Sequence, residues 1–186
     1  IKVEFYKKDG DRLKAGDKIC RVEGPARSVL SGERVGLNFM MHLSGIATYT
    51  SIFATEIAHT KARVTCTRKT LPGLRAFAKH AVRLGGGAVH RYGLDDAILI
   101  KDNHIAVCGG VAKAVERARR QLPVLTKLEI ECDRLHRVKE ALAAKVDVIM
   151  LDNMSVPDMA EAVRLVAGQV KLEASGGIRL DTIRPI

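Results

Sequence analysis

The hydrophobic pattern changes its period along the chain. Over about the first 30 residues, charged and apolar positions alternate around Asp9-Gly10 and Gly16-Asp17, which predicts two or three short strands joined by tight turns. From Ser31 onward the apolar residues recur every three to four positions, which predicts a helix with one buried stripe. We expect Gly45 to bend or interrupt this helix. The stripe comprises Val35, Phe39, Leu43, Ile46 and Ala47.

From about residue 61 the pattern becomes an alternation of short apolar strands and amphipathic helices. The predicted strands cover residues 62–66, 97–100, 128–131, 148–151 and 171–174. The predicted helices cover 72–84, 111–121, 135–144 and 157–167, and a further helix starts near Leu180. Such alternation favours right-handed βαβ units and a parallel sheet. The sequence therefore predicts an α/β fold with five units of a parallel barrel.

Polar residues follow the predicted strands in a regular way. Because the carboxyl ends of barrel strands open onto one face, the side chains at these ends should ring a single mouth. His90 and Arg91 follow the glycine-rich turn at 85–87 and add to the positive charge. A charged or glycine-rich cluster after every strand indicates an active site. In chain order the clusters contain Arg68 and Lys69, then Lys101, Glu131, Asp152, and finally Ser175, Gly176 and Gly177.

Composition narrows the kind of partner. Thirty-one Lys and Arg against 21 Asp and Glu give a net charge of +10, which favours anionic partners. No long run of like charge occurs, and three Tyr, four Phe and no Trp offer little for base stacking, so small acidic ligands fit better than nucleic acid. No apolar stretch approaches the ~20 residues of a membrane span. The four cysteines are scattered, as is typical of reduced thiols in a cytoplasmic protein.

The residue types at the strand ends limit the chemistry. Arginine and lysine suit carboxylates and phosphates, and Ser175-Gly176-Gly177 before a helix could cradle a phosphate with backbone N–H groups. Glu131 and Asp152 could hold ribose hydroxyls or a magnesium ion, or could simply offset their basic neighbours. No Ser-His-Asp or Cys-His pairing is evident. The pattern indicates an enzyme that joins a phosphorylated sugar to an acidic co-substrate.

Seven motifs occur in order along nearly the whole chain. They are Ser31–Asn38, Leu43–Thr48, Thr67–Arg75, His90–Leu94, Leu99–His104, Ile149–Met154 and Leu172–Ile178. Together they resemble the quinolinate phosphoribosyltransferases, the carboxylating nicotinate-nucleotide pyrophosphorylases of NAD synthesis. The resemblance implies a type II phosphoribosyltransferase, with the remainder of an α/β sandwich domain at 1–58 and an incomplete α/β barrel at 59–186, working as a homodimer or a multiple of it.

The resemblance also implies a reaction and a role for each site residue. Quinolinate and 5-phosphoribosyl 1-pyrophosphate, with Mg2+, would give nicotinate mononucleotide, pyrophosphate and carbon dioxide. Lys69, Lys101, Glu131 and Asp152 would be the catalytic residues, with the two acids at the ribose hydroxyls and magnesium. The remaining substrate contacts would come from Thr67, Arg68, His90, Arg91, the 5-phosphate residues Ser175, Gly176 and Gly177, and Arg34 of the partner subunit.

Related sequences extend beyond both ends of this one, so we expect it to be part of a longer enzyme. Three alternatives stay open at this point. A nicotinate phosphoribosyltransferase would handle one carboxylate instead of two, and a catalytically silent relative would bind anions without turnover. A nucleic-acid binder would show affinity that falls steeply with salt.

Overall fold

The computed structural model describes residues 1–186, and packing divides them into two units, Ile1–His90 and Arg91–Ile186. In the first unit, β1 (Lys2–Phe5) and β2 (Cys20–Glu23) pair antiparallel with Phe5 opposite Cys20. This pairing confirms two of the predicted short strands. Two helices follow, α1 (Ala26–Glu56) and α2 (Arg75–Leu84). The predicted domain boundary at residue 58 stays a prediction.

Helix α1 is longer than the sequence predicts. It runs without interruption through Gly45, so the expectation of an interruption there is wrong. A mid-helix glycine costs only about 1 kcal/mol relative to alanine, which a helix of 31 residues can absorb. The helix begins after Pro25, not at Ser31, and Arg34 therefore lies in the third turn. Its charge does not oppose the helix dipole there.

The predicted apolar stripe of α1 is buried only in part. Val35 and Phe39 are exposed, and Thr50 is the buried residue of the helix. From Phe39 onward α1 packs on α2, where the rings of Phe39 and Phe77 meet edge to face with centroids 5.8 Å apart. The approach is close at Gly85, since a Cβ there would lie 2.3 Å from the carbonyl oxygen of Ala47.

The segment between the two helices departs from the prediction. Residues 62–66 form no strand and contribute one parallel bridge, between Thr65 and Ala88. Helix α2 begins at Arg75, not at Pro72, because Gly73 adopts a left-handed conformation (φ +76°) and turns the chain. A hydrogen bond from Leu74 N to Leu71 O closes this turn.

The second unit confirms the α/β prediction with a four-stranded parallel sheet in the order β3-β4-β5-β6. The predicted elements lie within about two residues of the observed ones. Helix α3 was not predicted, and the helix expected from Leu180 is instead a series of turns. The strands are β3 (Ala97–Ile100), β4 (Lys127–Cys132), β5 (Val148–Asp152) and β6 (Lys171–Ser175); the helices are α3 (Asp102–Cys108), α4 (Val111–Gln121), α5 (Leu135–Ala143) and α6 (Val156–Val166).

Apolar side chains of the two central strands form the core of this unit. Leu128 and Ile130 of β4 and Ile149 of β5 are essentially inaccessible, as expected for parallel strands covered by helices. Cys132, the last residue of β4, is also fully buried, and this burial raises the pKa of its thiol to about 12. All four cysteines are free. None of the helices has the length and apolar character needed to cross a membrane.

Candidate anion-binding and acid groups

In the first unit, the loop that follows Thr65 carries Thr67, Arg68 and Lys69. The Thr67 hydroxyl accepts a hydrogen bond from Lys69 N (3.1 Å), and Thr70 N donates to Arg68 O (2.9 Å). Arg75, the first residue of α2, donates from Nε to the Thr70 hydroxyl (3.2 Å). Side-chain and backbone hydrogen bonds therefore fix the path of this loop, which has no sheet to support it.

Arg68 has an unusual environment for a cation. Its Nε atom is buried and makes no hydrogen bond, whereas its carbonyl oxygen accepts from Arg75 Nη2 (3.4 Å). A buried donor without an acceptor is costly in a folded protein. A carboxylate or phosphate oxygen would satisfy it with a charge-assisted hydrogen bond. This donor is consistent with the anion-binding role predicted for the loop.

A cavity of about 440 Å³ lies beside the same loop. Thr67, Lys69 and the buried Lys79 line one side of it, and His42 and Ile46 of α1 line the other. The size suits a small organic molecule. Two lysines at its wall favour an acidic one.

In the second unit, the predicted strand-end residues lie at the carboxyl edge of the sheet. Lys101 follows β3, Glu131 is the penultimate residue of β4, Asp152 ends β5, and Ser175 ends β6. Asp152 and Ser175 are register partners on neighbouring strands. The structure thus brings these four residues to one edge, as the alternating pattern predicted.

Lys101 and Glu131 form an ion pair across neighbouring strands. Lys101 Nζ lies 2.8 Å from Glu131 Oε1, and the glutamate side chain is 15% exposed whereas the lysine is 49% exposed. The backbone of Lys101 is held separately, because its N–H donates to His104 Nδ1 (2.9 Å) at the start of α3. The ammonium group of Lys101 is therefore open to solvent while it holds the more buried carboxylate.

Asn153 supports both Asp152 and the glycine pair. It has a left-handed backbone (φ +54°), and its Nδ2 donates to Asp152 Oδ2 (2.9 Å) while its N–H donates to Ser175 O (2.8 Å). Its side-chain oxygen lies against Gly176, where a Cβ would come within 2.1 Å of it. Gly176 is therefore required by space as well as by its φ of +94°.

The glycine pair differs from the predicted phosphate cradle in one respect. No helix follows it, since residues 179–183 form turns in which Thr182 N and Ile183 N donate to Arg179 O. Gly176 and Gly177 have consecutive positive φ values of 94° and 65°. Any phosphate would therefore meet the N–H groups of a glycine turn and not a helix N-terminus.

Three other predicted residues are placed differently from those at the sheet edge. Arg91 donates from Nη1 to the carbonyl oxygen of Ala97 (3.4 Å), the first residue of β3 and the opposite end of that strand from Lys101. Arg34 is exposed on α1. His90 follows the bridge residue Ala88 in the first unit. Their predicted contacts with ligand stay predictions.

The sequence leaves the supporting roles of three residues unassigned. Asn153 and His104 belong to the polar clusters that follow the predicted strands, but only the structure shows the hydrogen bonds they make to the strand ends. Lys79 could have been found, because it falls beside Ala78 and Val82 on the face of α2 that the apolar pattern assigns to the core. A lysine at such a position signals a buried charge.

The fold and these groups define a class: an α/β protein whose parallel strands carry basic and acidic side chains at their carboxyl ends. The family model "Quinolinate phosphoribosyl transferase, C-terminal domain" matches residues 46–186, and the corresponding N-terminal domain model matches residues 1–44. The chain therefore belongs to the quinolinate phosphoribosyl transferase family.

Individual relatives agree with this assignment. "Probable nicotinate-nucleotide pyrophosphorylase (carboxylating)" of Bacillus subtilis is 45% identical over 179 residues, covering 96% of this chain and 62% of that protein. "Nicotinate-nucleotide pyrophosphorylase (carboxylating)" of Mycobacterium leprae is 44% identical, covering 97% and 64%. The crystal structure of NadC from Streptococcus pyogenes superposes with a TM-score of 0.94 at 46% identity, covering 98% and 65%. The chain thus spans about three fifths of the length of its curated relatives.

Proposed function

We propose that the whole protein containing this chain transfers the phosphoribosyl group of 5-phosphoribosyl 1-pyrophosphate to quinolinate and releases carbon dioxide. The products are nicotinate mononucleotide and pyrophosphate. Family membership supports the reaction class. The observation that carries the choice of an acidic substrate is the buried, unsatisfied Nε of Arg68, whose chain neighbours Thr67 and Lys69 line the cavity.

The acceptor, quinolinate, is held by cations, most of which lie in the first unit. Quinolinate has two carboxylates, and the positive charge that binds them comes from one subunit and its partner. One subunit supplies Arg68, Lys69, His90 and Arg91, and the partner subunit supplies Arg34. Thr67 orders the loop through its hydrogen bond from Lys69 N. Because Arg34 is exposed on its own helix, it is available to a second copy of the chain. The active form is then a homodimer, or a multiple of it, with shared sites.

The sugar substrate is held by the residues at the strand ends of the second unit. Ser175, Gly176 and Gly177 bind the 5-phosphate, while Lys101 binds on the phosphate side of the ribose. The ring nitrogen of quinolinate attacks the anomeric carbon as the bond to pyrophosphate breaks, so positive charge develops on the ribose. Glu131 and Asp152 stabilise this charge electrostatically, and Lys101 keeps Glu131 in place through their 2.8 Å contact.

Loss of carbon dioxide follows ring alkylation. Once the nitrogen is bonded to ribose it carries a positive charge, and it can accept the electrons of the breaking carbon–carboxylate bond. A proton from water then replaces the lost carboxylate on the ring. Positioning accounts for most of the rate, since no acid or base need act on the sugar.

The two acids of the second unit fit a magnesium ion. Glu131 and Asp152 offer carboxylate oxygens, the donors that Mg2+ prefers, and these two residues would hold the ion. When bound it neutralises charge on the pyrophosphate. We place the activity in the cytoplasm, where four free cysteines would stay reduced.

The test is an assay of the full-length protein with 5-phosphoribosyl 1-pyrophosphate and Mg2+, comparing quinolinate with nicotinate. We expect nicotinate mononucleotide and carbon dioxide in equal amounts from quinolinate and no product from nicotinate. Product from nicotinate without gas release would identify a nicotinate phosphoribosyltransferase. Binding of quinolinate without turnover would identify a silent relative.

A further inference from the structure

We propose that Lys79 is a positioning residue for the acidic substrate, an inference that rests on the proposed function. Its side chain is fully buried (0% exposed) on α2. Nζ donates to Cys66 Sγ (3.2 Å) and to His90 O (2.9 Å). Cys66 directly precedes the Thr67–Lys69 loop. One ammonium group therefore joins the beginning of that loop to the backbone of His90.

The backbone alone holds these two segments at only one place. Thr65 and Ala88 form a single bridge, with Ala88 N donating to Val64 O (2.7 Å). Lys79 acts one residue past the bridge on one segment and two past it on the other. Without it, both segments would leave the bridge with more freedom, and the anion-binding side chains they carry would spread over more positions.

Stability does not explain a lysine at this position. The adjoining α2 residues Ala78, Ala81 and Val82 are buried and apolar, and burying an ammonium group is costly even when it is hydrogen-bonded. Lys79 also lines the same cavity as Thr67 and Lys69. Its charge therefore raises the positive potential where an acidic ligand would bind. The ordering of the two segments and the positive potential at the cavity should both favour binding of the acidic substrate.

The test compares Lys79→Met in the full-length enzyme with Lys139→Met, an exposed lysine on α5. We expect Lys79→Met to raise KM for quinolinate about tenfold, the size of effect expected for a lost charged hydrogen bond. KM for 5-phosphoribosyl 1-pyrophosphate should stay within about twofold of wild type. The control should change neither constant.

Cys66 gives a second, milder pair of variants in case Lys79→Met fails to fold. Cys66→Ser keeps an acceptor for Nζ, and Cys66→Ala removes it. We expect Cys66→Ala to raise KM for quinolinate about threefold and Cys66→Ser to restore most of the loss.

The outcomes separate this inference from the proposed function. A wild-type enzyme that releases no carbon dioxide from quinolinate would overturn the proposed function itself. If the wild type is active but Lys79→Met changes both Michaelis constants equally, or changes neither, the positioning role alone would be overturned. Equal behaviour of Cys66→Ser and Cys66→Ala would do the same.

Discussion

The two units of the chain hold their charged groups by different means. In the second unit, Glu131 and Asp152 lie on strands with a fixed register above a continuous core. In the first, Arg68 and Lys69 lie on a loop supported by hydrogen bonds within the loop and by others donated from Arg75 and Lys79, and few apolar side chains are buried there. The comparison indicates that the acids sit on the more rigid scaffold and the binding cations on the more adaptable one.

The units also differ in the sign of the charge they present. The candidate residues of the first unit are cations with a hydroxyl and an imidazole, whereas the second unit contains Arg91, pairs a lysine with a glutamate and adds an aspartate. Under the proposed function, the first unit recognises the acceptor together with Arg91, whereas the two acids of the second unit stabilise the transition state. Substitutions of the acceptor-binding cations and of the acids should therefore change different kinetic constants.

The largest effect should come from Asp152→Asn in the second unit. The substitution keeps shape and hydrogen-bonding capacity but removes the charge that stabilises the ribose as it becomes positive. We expect kcat to fall by about two to three orders of magnitude, or roughly 3–4 kcal/mol. Pre-steady-state kinetics with both substrates saturating measures it. If the acid only offset nearby cations, both anionic substrates would bind more tightly and kcat would stay near wild type.

The matching substitution in the first unit is Arg68→Ala. It removes the guanidinium whose Nε is buried without a partner, so we expect KM for quinolinate to rise about ten- to a hundredfold. KM for 5-phosphoribosyl 1-pyrophosphate should change little. Arg63→Ala, an exposed arginine in the same unit, is the control. Equal losses for both substrates in steady-state assays would contradict the division of roles.

Arg91→Ala tests the same division from the other unit. Its guanidinium bonds to Ala97 O at the start of β3, away from the acids at the sheet edge. If it binds a quinolinate carboxylate, quinolinate affinity should fall by about tenfold in calorimetry while the sugar substrate binds as before. A fall for both ligands would show that Arg91 acts on the fold of the sheet edge.

A smaller effect concerns sharing between subunits. Mixing inactive Arg34→Ala with inactive Lys101→Ala protomers should restore up to about a quarter of wild-type activity, because half of randomly paired dimers are mixed and one of their two sites is intact. The mixed dimers are verified by mass before assay. No recovery would mean that Arg34 acts within its own subunit.

The smallest effect is a pH dependence at the loop before β3. The hydrogen bond from Tyr92 N, with a second from Gly93 N, lowers the pKa of Asp96 despite the opposing effect of burial. A lowered pKa stabilises the fold above the ordinary value of about 4, and this stability is lost as the pH falls through the folded-state pKa. Asp96→Asn should therefore reduce stability at neutral pH and matter less in acid. Urea unfolding across this range measures the difference, and a constant difference would exclude the effect.

The sequence predicts the second unit better than the first for a physical reason. Strand β3 and helix α4 were predicted to the residue, because buried parallel strands and amphipathic helices have clear periods. In the first unit, packing decides the outcome. Gly45 stays helical inside α1, and the predicted strand at 62–66 keeps a single bridge because no further strand pairs with it along its length.

The site was predictable to a similar degree. Strand ends are set by local sequence, so Lys101, Glu131 and Asp152 could be placed at one edge without a structure. The residues that hold them could not, because Asn153 and His104 act through hydrogen bonds whose partners are set only by the folded backbone.

The buried thiol of Cys132 gives the molecule a built-in probe of local opening. It follows Glu131 directly, and its raised pKa and burial keep it unreactive in the closed sheet. A thiol reagent can modify it only when β4 separates from its neighbours, so the labelling rate reports the free energy of that opening. For each variant of the sheet edge, the labelling rate of Cys132 can thus show whether local opening of β4 has changed, separately from any change in turnover.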